Sequence, residues 1–220
     1  MKILQTHKIF LIDDHVLLRD ALATLINNFD ECEVVAVASE GEELIKLLHS
    51  GIKPDIVILD LNMPGMDGYA TAEWLKKNRP EIKILILTMY DSEVALIRLL
   101  QTGVRGFLKK DIHPNDLKIA IFSVAEDGYY YSHSATGKLA AFFYRNDESQ
   151  MRFEKSILNE KEIEFLKLAS TELTYKEIAG KLNLTPRNID VYRDTLFEKL
   201  DVKSRVGLAL YAVKNGIVVF

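Results

Sequence analysis

The sequence predicts an α/β domain built on a doubly wound parallel sheet, followed by an all-α domain. Two observations carry this. Short apolar runs in the first half, KIFLI, IVIL, KILIL and GFLK, are rich in Ile, Leu and Val and are separated by helix-like sequence, the pattern of buried parallel strands joined by helical crossovers. The last third instead shows helix starts with legible caps and short turns.

Each apolar run ends on a residue able to do chemistry. Asp13 and Asp14 follow the first, Asp60 the second, Thr88 closes the third and Lys110 the fourth. The carboxyl ends of parallel strands share one edge, where ligands bind. Three carboxylates, a hydroxyl and an ammonium are therefore expected in one crevice. The carboxylates repel unless a cation joins them. A hard divalent ion such as Mg²⁺, which takes oxygen ligands, fits that need. A carboxylate oxygen can attack a phosphoryl group to form a mixed anhydride, a reaction that needs positioning and charge neutralisation more than acid–base work.

LIDDH, ILDLNMPGMDG, LTM and GFLKKD, in this order and spacing, resemble the receiver domain of two-component response regulators. The resemblance implies a five-stranded, flavodoxin-like receiver over residues 5–127. It implies phosphorylation at Asp60 and Mg²⁺ held by Asp13, Asp14, Asp60 and the backbone carbonyl of Asn62. It further implies phosphoryl-binding and switch roles for Thr88, Phe107 and Lys110. Lys110 is chosen over Lys109 because the family lysine stands four residues after the glycine, here Gly106.

Residues 128–155 read as a linker, with a helical patch at Leu139–Tyr144 and a polar run from Arg145 to Gln150. Beyond it, Asn159 with Glu162 and Thr174 with Glu177 fit capping boxes. Thr185-Pro186 places a cap before a first-turn proline. Ser204 opens a last helix that Gly216 ends. Helices are expected at about 160–170, 175–182, 186–200 and 205–214, with a tight turn at Asn183-Leu184 between the second and third.

This segment, residues 156–220, resembles a LuxR-type helix-turn-helix through LNEKEIEFLKLAS, LTYKEIAGKLNLTPRNIDVY and LFEKLDVKSR. Receiver plus helix-turn-helix is similar to the NarL/FixJ class of response regulators. The resemblance implies a phosphorylation-controlled transcription regulator with a histidine kinase as phosphoryl donor, duplex DNA as partner, and a homodimer on DNA or when phosphorylated. Its recognition helix is Thr185–Leu200. Ile189, Tyr192, Leu196 and Leu200 recur at helical spacing and face the core, leaving Arg187, Asp190, Val191 and Asp194 outward. Lys176, Arg187, Asn188, Asp190, Val191, Arg193, Asp194, Lys203 and Arg205 are the DNA-contact candidates. Family members often carry lysine at the positions of Asp190 and Asp194. Asp190 is expected to read a base, since carboxylates accept from cytosine N4, and Asp194 to temper attraction to phosphates.

Composition narrows the function classes. The net charge is −4. Arg152–Phe220 carries 12 Lys+Arg and 10 Asp+Glu, a net of +2, against −6 for the rest, so only the second part weakly suits DNA. Cys32 is the single cysteine, which excludes an intramolecular disulfide and a cysteine-rich zinc site. No apolar run approaches the roughly 20 residues that span a bilayer, and the N-terminus has no signal-peptide core; a cytoplasmic protein is expected. A phosphatase using Asp60 would want a carboxylate two residues on, where Asn62 stands. No enzymatic activity beyond slow self-dephosphorylation is expected. The histidines show no metal-ligand spacing, and His15 is read as rim polarity or packing.

Overall fold

The computed structural model describes residues 6–89, 96, 99–100, 102–132, 136, 158–215 and 217–218. The chain divides into two compact units, Met1–Lys138 and Leu139–Phe220. The expected linker helix at Leu139–Tyr144 and the helix-ending Gly216 lie outside the described residues.

The first unit is built from β1 (His7–Ile12), α1 (Val16–Asn27), β2 (Cys32–Ala38), α2 (Gly41–His49), β3 (Ile56–Leu59), α3 (Gly68–Asn78), β4 (Lys83–Thr88), β5 (Gly106–Lys109), α4 (Pro114–Glu126) and β6 (Tyr130–Tyr131). The strands form one sheet in the order β2-β1-β3-β4-β5-β6, with every pairing parallel. All four residues of β3 are buried, as are the last four of β1. Such strands are covered on both faces, which is why they read as unbroken apolar runs. The strand order reverses direction at β1 and β3, the place where such sheets open a crevice.

The sheet has six strands rather than the expected five. The sixth arises just after α4. Gly128 adopts φ +89 and its N–H donates to Ser123 O, a left-handed helix ending that glycine supports. The chain then turns so that Tyr130 N–H donates to Arg105 O at 2.8 Å and Tyr130 pairs with Gly106. Tyr130-Tyr131, read from sequence as the start of the linker, thus forms a short edge strand.

The second unit comprises α5 (Glu160–Ala169), α6 (Tyr175–Lys181), α7 (Pro186–Lys199) and α8 (Arg205–Lys214), each within a residue or so of its expected span. Both capping boxes are present. Thr185 accepts from Asn188 N–H, and Ser204 from Gly207 N–H. Between α6 and α7, Asn183 takes φ +54 and Leu184 N–H donates to Ala179 O at 2.8 Å, a Schellman-type ending in which Asn substitutes for Gly. Phe165, Leu166, Ile178, Leu196, Leu208 and Ala212 fill the core of this unit. Among the described residues, no helix is long and apolar enough to cross a membrane.

Candidate functional site

Strand register brings the pocket together. Ile12 and Leu59 are paired at the ends of β1 and β3, so Asp13 and Asp60 leave the sheet side by side, with Asp60 N–H donating to Ile12 O at 2.9 Å. Thr88 pairs with Lys109 across β4 and β5, and Lys110 N–H donates to Thr88 O at 2.8 Å. Neighbouring strand residues point to opposite faces. Lys110 turns inward: its Nζ lies 2.8 Å from Asp13 Oδ2 and 2.8 Å from Asp60 Oδ2. Lys109 turns out to Asp111, 3.0 Å away.

Asp13, Asp60 and Thr88 are buried, and Asp14 is partly exposed. Asp60 Oδ1 accepts from Leu61 N–H at 2.8 Å. Burial pushes the Asp60 carboxyl above its ordinary pKa; Lys110 and the Leu61 N–H pull against that rise and Asp13 adds to it. Burial pulls the Lys110 ammonium down, but its hydrogen bonds to Asp13 and Asp60 outweigh this and hold its pKa above the usual value. Phe107 is buried one turn of the pleat before Lys109. Asn62 is half-buried in the loop after Asp60.

That loop is closed tightly. Gly68 N–H donates to Leu61 O at 3.0 Å, Asp67 caps α3 by accepting from Ala70 N–H, and Gly65 takes φ +66. A Cβ on Gly68 would stand 2.2 Å from Asp60 O and 2.6 Å from Leu61 Cα. The loop therefore packs directly on the backbone of Asp60.

Two neighbours of the acidic pair were not singled out as site residues from sequence. His15 Nδ1 lies 3.2 Å from Asp13 Oδ1 and 2.9 Å from Asp14 Oδ1. The ring does more than fill the rim, and its place directly after the pair was the available signal. Arg19 Nη1 donates to Asp13 O at 3.0 Å and Ser39 Oγ at 2.9 Å, tying the β1–α1 loop to the end of β2. It stands one helical turn after His15, on the same face.

Asp13, Asp14, His15 and Asp60 offer ligand atoms within 4.8 Å of one another. Asp14 Oδ1 is buried without a hydrogen bond; His15 Nδ1 is within ion-pair distance of it but outside hydrogen-bond geometry. A buried carboxylate oxygen of this kind costs free energy unless something else pairs with it. Three carboxylates against one lysine leave negative charge uncompensated. An oxygen-rich donor set with that excess suits a hard divalent cation.

On the second unit, Lys176, Arg187, Asn188, Asp190, Val191, Asp194 and Lys203 are all exposed. Ile189, Leu196 and Leu200 are buried and Tyr192 half-buried, as the helical phase of α7 requires. Two candidates are otherwise engaged. Arg205 Nε donates to Ala169 O at 2.9 Å and its Nη2 to Thr171 O at 2.6 Å, which satisfies carbonyls at the end of α5. Arg193 is bound to Asp190 and Asp194.

A parallel sheet with an acidic, lysine-bridged pocket at its carboxyl edge, carried in one chain with a helix-turn-helix, defines a response regulator with a DNA-binding output domain. Residues 9–122 match the response regulator receiver domain family, and residues 156–212 match the bacterial regulatory proteins of the luxR family. The chain belongs to the two-component response regulators. It is 31% identical over 211 residues to the response regulator GacA of Pseudomonas aeruginosa, covering 96% of this chain and 97% of that one. It is 32% identical over 217 residues to the oxygen regulatory protein NreC of Staphylococcus haemolyticus, covering 97% and 100%. Among solved structures, a LuxR-family two-component response regulator from Aurantimonas sp. SI85-9A1 is 27% identical with a TM-score of 0.59, over 64% of this chain and 100% of that one. RcsB from Salmonella enterica serovar Typhimurium, bound to promoter rprA with the phosphomimetic BeF3-, is similar in fold, with a TM-score of 0.70, 24% identity, and 94% and 98% coverage.

Proposed function

We propose that Asp60 accepts a phosphoryl group from a phosphohistidine of a partner kinase, and that the phosphorylated chain binds duplex DNA as a dimer through α7. The observation that carries this is the Lys110 bridge, with Nζ 2.8 Å from both Asp13 and Asp60 at the buried end of β3. An Asp60 carboxylate oxygen forms the new bond to phosphorus. The phosphorus–nitrogen bond of the donor breaks, and its electron pair leaves with the imidazole. Asp13, Asp14, Asp60 and the Asn62 carbonyl would hold Mg²⁺, which supplies charge neutralisation for phosphoryl transfer. Lys110 supplies a second positive charge to the phosphoryl oxygens, and the Thr88 hydroxyl donates a hydrogen bond to one of them. Thr88 and Phe107 reposition around the new group and pass the change to the output domain. Slow hydrolysis of the anhydride resets the switch. Arg187, Asn188 and Val191 face the bases, while Lys176 and Lys203 contact phosphates. The proposed DNA partner supports a cytoplasmic location.

The test is labelling with a small phosphodonor in Mg²⁺. The wild-type chain should acquire an acid- and base-labile label, Asp60→Asn should acquire none because an amide is a poor nucleophile, and Asp13→Ala should need more Mg²⁺. Persistent label on Asp60→Asn would remove Asp60 from this role.

A further inference from the structure

The outward face of α7 holds a charge cluster that phosphate contact does not explain. Arg193 Nη1 donates to Asp190 Oδ1 at 3.0 Å, and its Nε donates to Asp194 Oδ1 at 2.8 Å. Its Nη2 stands 2.7 Å from that same Asp194 oxygen. The guanidinium also lies over the Tyr175 ring of α6, 5.4 Å from its centroid, and 5.9 Å from that of Phe197. Three of its five N–H groups are thus directed at carboxylates, and its flat face is covered. Arg193 is 27% exposed, against 57% and 61% for Asp190 and Asp194. The three residues together carry a net charge of about −1 at neutral pH.

Lys199 is committed to the buried Glu162, and Arg205 to backbone carbonyls. Lys176, Arg187 and Lys203 are exposed. The recognition helix therefore shows DNA a negative patch beside one exposed arginine, and its second outward arginine is held in place.

We propose that Asp190 and Asp194 set specificity by restraint: they hold Arg193 off the DNA phosphates and so weaken sequence-independent binding. This rests on α7 being the DNA-reading helix. Phosphate neutralisation by Lys and Arg supplies non-specific affinity, and discrimination is the ratio of specific to non-specific binding. A restrained arginine lowers the second without touching the base contacts of Arg187, Asn188 and Val191. Asp190 then acts through Arg193 rather than on a base, which departs from the expectation drawn from its exposed position alone.

The experiment measures binding of the full-length protein to its selected duplex and to a random duplex across a salt series. Asp194→Asn should tighten binding to the random duplex and steepen the slope of log K against log salt by about 0.9 per protomer, one added phosphate contact. In an Arg193→Met background, which keeps an unbranched stem against Tyr175 and Phe197, the same change should leave the slope where it was. Site selection with Asp190→Asn and with Asp194→Asn should return the wild-type consensus. An unchanged slope in the Arg193 protein, equal steepening in both backgrounds, or a new base preference with either asparagine would each overturn the proposal. A wild-type protein that binds no duplex would instead remove the DNA reading of α7, and this inference with it.

Discussion

Replacing Lys110 by Ala would remove the ammonium that joins Asp13 and Asp60. All three side chains are buried, with 4% of Lys110 and 2% of each carboxylate exposed. Taking away one partner of a buried pair leaves an uncompensated charge and typically costs about 3–5 kcal/mol. The adjacent Lys109–Asp111 pair is exposed on both sides, 37% and 62%, and pairs of that kind contribute roughly 0–1 kcal/mol. Urea unfolding followed by the single tryptophan, Trp74 on α3, reports the first unit alone. In metal-free buffer Lys110→Ala should lose about 3–5 kcal/mol and Lys109→Ala less than about 1. Mg²⁺ should narrow the Lys110→Ala deficit, because a ligand of the folded pocket stabilises the folded state. Acidification should narrow it too. Burial already raises the Asp60 carboxyl in the folded chain, so its proton is held more tightly folded than unfolded. Its stabilising contribution is present at low pH and lost as pH rises through the folded pKa; loss of Lys110 accentuates this. Equal, small losses for the two lysine variants would refute the account of the pocket as a lysine-bridged acidic cluster.

Two further perturbations test the supports of the sites. Gly68→Ala places a Cβ 2.2 Å from Asp60 O; since backbone must move, a loss of about 1–3 kcal/mol is expected, with slower phosphorylation by a small donor, and unfolding followed at Trp74 together with a labelling time course checks both. Lys199→Ala strands Glu162, which Lys199 meets at 2.7 Å with 9% of the carboxylate side chain exposed; the second unit should lose roughly 3 kcal/mol or more, read by thermal melting in far-UV circular dichroism, while phosphorylation of Asp60 proceeds unchanged.

Much of this protein is written locally. Alternating apolar runs and helix-like sequence dictate a parallel sheet because each strand must bury both faces. Caps such as Asn159–Glu162 and Thr174–Glu177 announce helix starts because they satisfy backbone N–H groups within four residues. The pocket residues were legible for the same reason: each stands at the end of an apolar run, and strand ends share an edge. Their order and spacing carried the family resemblance.

What stayed hidden depends on contacts between residues far apart in the chain. The sixth strand needed Gly128 to reverse the chain and the free edge of β5 to receive Tyr130 and Tyr131; a two-residue strand has no periodicity to read. Lys110 was already assigned to the crevice by its spacing from Gly106, but its meeting with Asp13, 97 residues away, and with Asp60, 50 away, needed the register of the sheet. Arg205 was read as a DNA contact; that it also binds carbonyls at the end of α5, 36 residues earlier, only the fold could show. Asp190 and Asp194 are outward by helical phase, and Arg193 meets them within α7 at spacings of three and one, a local pairing that helix geometry allows; what the fold adds is the Tyr175 ring of another helix against the guanidinium. Periodicity fixes which face a side chain occupies and which near neighbours it meets; only tertiary packing decides which distant charge it meets, because electrostatic partners are set by distance in space.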